Sequence, residues 1–175
     1  GLASWSHPEF SEGTLVGTGA AASYASPAAH AATSPVGFGF GSSNGVFYAL
    51  EPAARMTGMA NIPLKWARCL RNGTSTMVTG ARPEECTGGA LSNAAAADID
   101  GDSRDEFIVG SNDGYLYVLA AETGAVDFAY NFQTAVGAPI VADVDGDGTL
   151  GLMVPTGDGF VTALSASSPD PVIAM

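Results

Sequence analysis

Two stretches of the chain repeat one another at an interval of 45 residues. Residues 97–119 read ADIDGDSRDEFIVGSNDGYLYVL, and residues 142–164 read ADVDGDGTLGLMVPTGDGFVTAL, so that Asp98 matches Asp143. Each copy runs from an acidic loop through a short apolar segment and an Asp-Gly dipeptide to a second apolar segment. Repetition at such a period indicates an array of similar supersecondary units, each of which buries its apolar face against a neighbour.

The residue pattern inside each copy predicts β-structure. Residues 107–109 (FIV) and 152–154 (LMV) are short apolar runs bounded by turn residues, as is typical of buried strands. Asp-Gly is a frequent hairpin dipeptide because its glycine readily adopts a positive φ. The 3.6-residue apolar spacing of a helical repeat does not occur in these windows. A period of about 45 residues with internal hairpins is typical of one four-stranded blade of a β-propeller.

A weaker third copy lies upstream, where residues 41–50 (GSSNGVFYAL) match residues 110–119 (GSNDGYLYVL) at an offset of 69. The sequence therefore predicts an all-β fold, namely a partial β-propeller of about three four-stranded blades. We place the blades near residues 36–65, 94–138 and 139–175, with an insert near 66–93 and an irregular, extended lead-in over residues 1–35. Propellers close with about four to eight blades, so we expect missing residues or a partner chain to complete this one.

The acidic loop of the first full copy is a candidate metal site. Residues 98–106 read DIDGDSRDE, with carboxylates at positions 1, 3, 5, 8 and 9. Alternate side chains of a tight loop can face a common centre, and Ca²⁺ takes six to eight oxygen ligands. The main-chain oxygen of Arg104 at position 7 is a further donor. The loop is not the helix-flanked calcium hand, because Ser103 stands where that motif needs glycine and Val109 where it needs glutamate.

These repeats resemble the FG-GAP or VCBS-type repeats of the integrin α-chain propeller and of many bacterial surface proteins. The resemblance covers residues 94–168 well and residues 36–52 weakly, and it implies that calcium binds in the Asp-rich loop between blade strands. For the first loop the implied ligands are the carboxylates of Asp98, Asp100, Asp102 and Glu106 and the main-chain oxygen of Arg104. For the second loop they are Asp143, Asp145, Asp147 and Thr149.

The second loop departs from the pattern at position 9, where Gly151 replaces the closing carboxylate. We therefore expect this site to bind metal more weakly than the first. The equivalent upstream segment, residues 29–37, contains no acidic residue, and we expect no metal there. The alternative without metal for any such loop is a plain turn, in which Asp side chains accept hydrogen bonds from their own backbone.

Charge and cysteine content limit the partners and the compartment. Six Lys and Arg residues against eighteen Asp and Glu residues give a net charge of −12, which disfavours binding to nucleic acid or to an anionic membrane surface. No apolar run is long enough to predict a membrane span.

Cys69 and Cys86 are the only cysteines, and we expect them to form a disulfide, as paired cysteines of exported proteins usually do. Together with the calcium loops, this indicates an extracytoplasmic location.

The function that these patterns favour is a non-catalytic, calcium-stabilised propeller module that binds a protein or a glycan, for example in adhesion. Two alternatives remain open: a structural subunit of a larger surface assembly or filament, and a fragment of a propeller enzyme. Residues 117–124 (YVLAAETG) resemble quinoprotein-type repeats, although cofactor-bearing members carry an adjacent cysteine pair that this sequence lacks. The two histidines, His7 and His30, lie near no nucleophile motif.

Overall fold

The computed structural model describes residues 15–23, 36–50, 64–78 and 85–165. All the secondary-structure elements in these residues are β-strands, which confirms the all-β class. The strands are β1 (Leu15–Ser23), β2 (Val36–Ser42), β3 (Val46–Leu50), β4 (Leu64–Arg71), β5 (Thr74–Met77), β6 (Leu91–Ala97), β7 (Glu106–Ser111), β8 (Tyr115–Ala120), β9 (Val126–Asn131), β10 (Ile140–Ala142), β11 (Gly151–Pro155) and β12 (Val161–Ser165). The described residues include no helix of the length and apolarity that crossing a membrane requires.

The strands form three antiparallel sheets, each with its strands in chain order. Sheet A contains β1 to β5, sheet B contains β6 to β9, and sheet C contains β10 to β12. The hairpins β2–β3, β7–β8 and β11–β12 turn at the dipeptides that the sequence indicated. Their glycines, Gly45, Gly114 and Gly159, have φ angles of 85°, 95° and 92°, a region that residues with a Cβ rarely adopt.

The boundaries of sheet A differ from the sequence prediction. Residues 15–23, placed by the sequence in the lead-in, form β1 and pair antiparallel with β2. The region near 66–93, expected as an insert, supplies most of β4 and all of β5. Neither segment has the alternation of apolar and polar residues that signals a strand, because β1 consists largely of small residues and β5 is polar. Strands of this kind are defined by their pairing partners.

Sheets A and B pack face to face around three aromatic rings. Phe47 and Trp66 of sheet A meet Phe107 of sheet B, with the centroids of Phe47 and Phe107 5.3 Å apart. The indole N–H of Trp66 donates to the main-chain oxygen of Ala121 at 3.1 Å. The buried indole N–H therefore has a hydrogen-bond partner although the ring is enclosed in the core.

The opposite face of sheet B packs against sheet C through aliphatic side chains. Buried residues of this second core are Ile108, Leu116, Val118, Val136, Leu152, Val154 and Leu164. The connection between the two sheets is fixed by its backbone, since Val136 N donates to Ser111 O at 3.0 Å and Gly137 N donates to Pro155 O at 2.8 Å. The three sheets thus form a continuous stack in chain order, and β6 contacts both β1 and β10.

The two cysteines form the expected disulfide. Cys69 of β4 is bonded to Cys86, with Cα atoms 5.5 Å apart. Cys86 packs with Val46, Tyr48 and Ala67 on the face of sheet A that points away from sheet B. The cross-link therefore covers this face of the first sheet and ties the segment after β5 to it. Disulfides are typical of oxidising compartments.

The predicted blade boundaries fall partly outside the described residues. The lead-in before residue 15, the segment 29–35 of the upstream loop and any fourth strand of the third unit within 166–175 lie there. Within the described part of the chain, sheet B begins at Leu91 and sheet C at Ile140, each within a few residues of the start that the repeat predicted.

Candidate metal sites

The first acidic loop (98–106) connects β6 to β7 at one end of sheet B. It begins directly after Ala97 and ends at Glu106, the first residue of β7. Asp98 shapes the turn, since its two carboxylate oxygens accept the backbone N–H groups of Gly101 at 2.8 Å and Ser103 at 2.9 Å. Short bonds from carboxylate to backbone are the ordinary means by which Asp initiates a turn.

Asp100 and Asp102 make the same kind of bond. Asp100 Oδ1 accepts Asp102 N at 3.0 Å, and Asp102 Oδ1 accepts Arg104 N at 2.8 Å. Each ionised carboxylate offers about four lone-pair sites, so these bonds leave further acceptor capacity on each oxygen pair.

The second acidic loop (143–151) has the same hydrogen-bond pattern shifted by 45 residues. Asp143 accepts Gly146 N at 2.7 Å and Gly148 N at 3.0 Å, and Asp145 and Asp147 each accept the N–H two residues further on. The acceptor and donor positions of these four bonds coincide with those of the bonds to Asp98, Asp100 and Asp102 in the first loop. Two independent stretches of sequence therefore specify one loop conformation.

The backbone of the two loops agrees as well. The residue at position 6 is left-handed in both, with a φ of 71° at Ser103 and 88° at Gly148. A residue with a Cβ is strained there by about 1–2 kcal/mol. The first loop therefore holds its conformation despite an unfavourable residue, which indicates that the surrounding hydrogen bonds determine the turn.

Each loop gathers three carboxylates closely enough to share one cation. In the first loop one oxygen each from Asp98, Asp100 and Glu106 lie within 4.8 Å of one another. In the second loop the same holds for Asp143, Asp145 and Asp147. All six are among the residues that the sequence indicated as candidate metal ligands.

Of the three other predicted ligands, Asp102 is placed differently and two are not tested. Asp102 stays outside the first trio and lies 3.9 Å from the guanidinium of Arg104. Arg104 and Thr149 occupy position 7 of their loops, where their backbone N–H groups donate to Asp102 and Asp147. Their role as main-chain oxygen ligands stays a prediction.

Glu106 is the most buried acidic residue of the two loops. Its side chain is almost completely covered, with 4% exposure, and its Oε2 accepts the backbone N–H of Ile99 at 3.0 Å. The pKa of Glu106 is raised to about 7, chiefly by burial and also by the nearby carboxylates of Asp100, Asp102 and Asp98, against the lowering effect of the Ile99 bond. A bound cation would neutralise this crowded group of negative charges.

The second loop lacks this buried carboxylate. Gly151, at the equivalent position, is the first residue of β11 and is buried. All three residues of its trio are exposed, and the pKa of Asp147 is lowered, chiefly by the hydrogen bond from the Thr149 backbone. The two candidate sites therefore differ in burial and in the identity of the third carboxylate.

A cleft of about 180 Å³ opens beside the first loop and brings in residues that the sequence did not indicate. Glu122 and Asp127 line it opposite the loop, and Arg104 Nη1 lies 4.0 Å from Glu122 Oε2. Burial raises the pKa of Asp127, with contributions from Asp100 and Asp102. No local pattern marks Asp127, because it reaches the loop only through the pairing of β9 with β8.

Both trios suit a hard cation that prefers oxygen ligands, and the donors fit Ca²⁺ or a similar divalent ion. Three carboxylates supply fewer than the six to eight oxygens that calcium takes, so main-chain oxygens or water would complete the shell. No protein-family model matches the chain, and no curated protein matches it. The functional conclusions therefore depend on the repeat and on the geometry of these loops.

Proposed function

We propose that this chain is a calcium-stabilised, non-catalytic segment of a β-propeller of the FG-GAP or VCBS type. The observation that carries the proposal is the pair of acidic loops with one hydrogen-bond pattern and converging carboxylates, 45 residues apart. Plain Asp turns require only the hydrogen bonds to the backbone. They do not require a buried glutamate facing two aspartates, which is costly unless a cation offsets the charge.

The propeller architecture is supported by the way the sheets relate to one another. Sheets A, B and C stack in chain order and use the same two faces at both interfaces. The first strands of neighbouring sheets lie side by side, with β6 between β1 and β10. In a propeller the sheets are arranged around an axis with such strands innermost. Among the described residues sheet A has five strands and sheet C three, so in this part of the chain only sheet B has the four of a regular blade.

Calcium in this proposal is structural. At the first loop it links the end of β6 to Glu106 at the start of β7, and thereby fixes an exposed loop to a strand of the central sheet. At the second loop it fixes β10 relative to β11 in the same way. The exposed surface of a module held in this manner would serve in binding a protein or glycan outside the cytoplasm, where calcium is abundant and the Cys69–Cys86 disulfide is stable.

Calorimetric titration of the metal-free protein with CaCl₂ tests the metal sites. We expect one tighter and one weaker event, and thermal unfolding at a higher temperature in calcium than in EDTA. Saturation at 100 times Kd stabilises a folded protein by about 2.7 kcal/mol. The variant Asp98→Asn/Asp143→Asn should lose both effects. The variant Glu122→Gln/Asp158→Asn, which removes the same charge outside the two trios, should retain them.

Two results would refute the metal sites: no binding heat with calcium, or the same unfolding temperature in calcium and in EDTA. The interaction role is tested separately, with a glycan array probed by the calcium-loaded protein and by Asp98→Asn/Asp143→Asn. We expect binding that depends on calcium, and equal signals from the two proteins would contradict a role for the loops in holding the binding surface.

A further inference from the structure

One face of sheet C is apolar and uncovered among the described residues. Direct pairing places Ile140, Met153 and Ala163 on the same side of the sheet, and Val161 follows on that side opposite Pro155. Ile140 is 62% exposed and Val161 48% exposed. We call Ile140, Met153, Val161 and Ala163 the outer face of sheet C, since the other face packs against sheet B.

The internal repeat identifies the counterpart of this face in sheet B. Shifted by 45 residues, the outer face of sheet C corresponds to Ala95, Ile108, Leu116 and Val118. Those residues form the face of sheet B that packs against sheet C, and Ile108 and Leu116 are fully buried there. The same type of face is thus covered in sheet B and open in sheet C.

The face with which a sheet packs onto the preceding sheet, here called its covering face, is formed by equivalent residues at both interfaces. Sheet C covers sheet B with Leu152, Val154 and Leu164, and sheet B covers sheet A with the residues that correspond to them, Phe107, Val109 and Leu119. Each sheet therefore stacks its covering face on the opposite face of the sheet before it. If a further sheet packed on sheet C in the same way, its apolar covering face would contact the outer face of sheet C.

We propose that the outer face of sheet C is a docking face for a partner β-sheet of the same repeat type. The partner presents aliphatic side chains at alternate positions of two adjacent strands, as Leu152, Val154 and Leu164 do within this chain. This inference deepens the propeller architecture proposed above, and it does not depend on metal at either loop.

A second copy of this chain is a poor occupant. Its one equivalent covering face belongs to sheet A, where Val46, Tyr48 and Ala67 are already buried. Contact between two outer faces would bring together two acidic second loops, because Val144 of that loop borders the face next to Gly151. The like charges of the two loops would then oppose association.

The size of the face indicates that the partner sheet is held by additional contacts. Three strands about 4.8 Å apart and five residues long cover roughly 240 Å², whereas stable complexes bury about 800 Å² on each partner. Within this chain, linkage through the polypeptide supplies what the sheet-to-sheet contact lacks. A test should therefore supply the partner sheet in linked form.

A fusion protein provides that test. A second copy of residues 121–165 is joined after Ser165, so that the junction with Ala121 repeats the native order, in which residue 120 precedes it. Val161→Cys in the first copy then gives a single thiol on the outer face, since both native cysteines are in the disulfide. Its reaction with Ellman's reagent is compared with that of Val161→Cys in the unextended chain, at saturating calcium.

We expect the thiol to react about tenfold or more slowly in the fusion protein, since modification then requires the stacked sheet to open. Glu122→Cys in the first copy, a position with 62% side-chain exposure away from the face, should react equally in both proteins. Replacing the leucines and valine equivalent to Leu152, Val154 and Leu164 in the added copy by serine should restore the fast reaction.

Equal reactivity of Val161→Cys in the two proteins would overturn the proposal. Slow labelling in the unextended chain would also overturn it, because the outer face would then already be covered. Light scattering would identify the cover as a second copy if the protein is dimeric and as the chain itself if it is monomeric. Calcium binding is measured by calorimetry on the unextended chain, so either proposal can fail while the other stands.

Discussion

The hydroxyl group of Tyr117 donates a hydrogen bond to Asp113 Oδ2 at 2.7 Å, across the β7–β8 hairpin of sheet B. The pair also receives two backbone N–H groups from the β4–β5 turn of sheet A, Asn72 on the carboxylate and Gly73 on the tyrosine oxygen, both at 3.2 Å. Burial, reinforced by the bond to Asp113, raises the pKa of Tyr117. The hydroxyl therefore remains a donor throughout the physiological pH range, and the ends of two neighbouring sheets are joined at one point.

Removing that hydroxyl should loosen the contact between sheets A and B. Tyr117→Phe removes one of the donors to Asp113 and leaves the Gly73 N–H without its acceptor, and we expect the free energy of unfolding to fall by about 1–3 kcal/mol. Urea unfolding followed by tryptophan fluorescence measures the change. Tyr115→Phe, a substitution of the same kind on the same strand, is the control and should cost less. Equal losses in the two variants would show that Tyr117 contributes only its ring.

Substitutions at position 9 of the two loops should change their calcium affinities in opposite directions. Glu106→Gln removes one charge from the buried trio, and we expect the first calcium to bind about tenfold more weakly or worse, since affinity follows the number of charged ligands. Gly151→Glu should strengthen the second site. A Cβ at this position lies 3.1 Å from Leu164 O, so the strand must shift by a few tenths of an ångström.

Calorimetric titration measures both variants of position 9. Asp158→Asn, which lowers the charge of sheet C outside the loop, is the matched control for the first variant. If Gly151→Glu folds with an unchanged unfolding temperature and its second site is no tighter, position 9 does not supply a ligand.

The pH dependence of stability that Glu106 causes should disappear when metal binds. The pKa of Glu106 is raised from 4.5 to about 7, mainly by burial. Without metal, folding therefore takes up a proton between these pH values. The contribution of Glu106 to stability is greatest below pH 4.5 and is lost as the pH rises through about 7. With calcium, the metal replaces the proton, so affinity should rise over the same interval.

Unfolding temperatures measured in EDTA from pH 5 to pH 8 test this dependence. The difference between the wild type and Glu106→Gln isolates the contribution of the one carboxyl group, since the remaining acidic residues are common to both. We expect the wild type to lose stability relative to the variant as the pH rises. A difference that does not vary with pH would contradict the raised pKa.

Loss of the disulfide should destabilise sheet A in particular. Cys69 and Cys86 are 17 residues apart, and a cross-link across a loop of this size contributes about 3 kcal/mol in the chain-entropy model. Cys69→Ala/Cys86→Ala should unfold at correspondingly lower denaturant concentration, and reducing agent should lower the stability of the wild type but not of the variant. Equal sensitivity of both proteins to reductant would contradict this assignment.

The sequence predicts the parts of this fold that are local. The Asp-Gly and Asn-Gly turns, the apolar strands and both acidic loops follow from residue types at fixed spacing, and the repeat makes each of them visible twice. Strand β1 is not predictable in this way, since a run of small residues becomes a strand only when β2 pairs with it. The same applies to Asp127, which reaches the first loop because β9 pairs with β8.

The burial of the first metal site also depends on tertiary packing. The sequence places a glutamate at the end of the loop, but not the depth at which Glu106 is buried or the cleft beside it. Those depend on sheet B being covered on both faces. The sequence pattern predicts Asp102 as a ligand in the same way as Asp98 and Asp100, but Asp102 lies beside Arg104. The spacing of the residues does not predict this difference.

Each sheet is formed by a contiguous stretch of chain with its strands paired in chain order. Strand pairing within a sheet therefore closes only short loops, and the contacts between sheets join segments that follow one another. Chains with such local connectivity fold faster than β-proteins of mixed order, and domains form progressively as the polypeptide emerges from the ribosome. Sheet A can thus be complete before sheet C has been synthesised, and each later sheet finds a prepared surface on which to assemble.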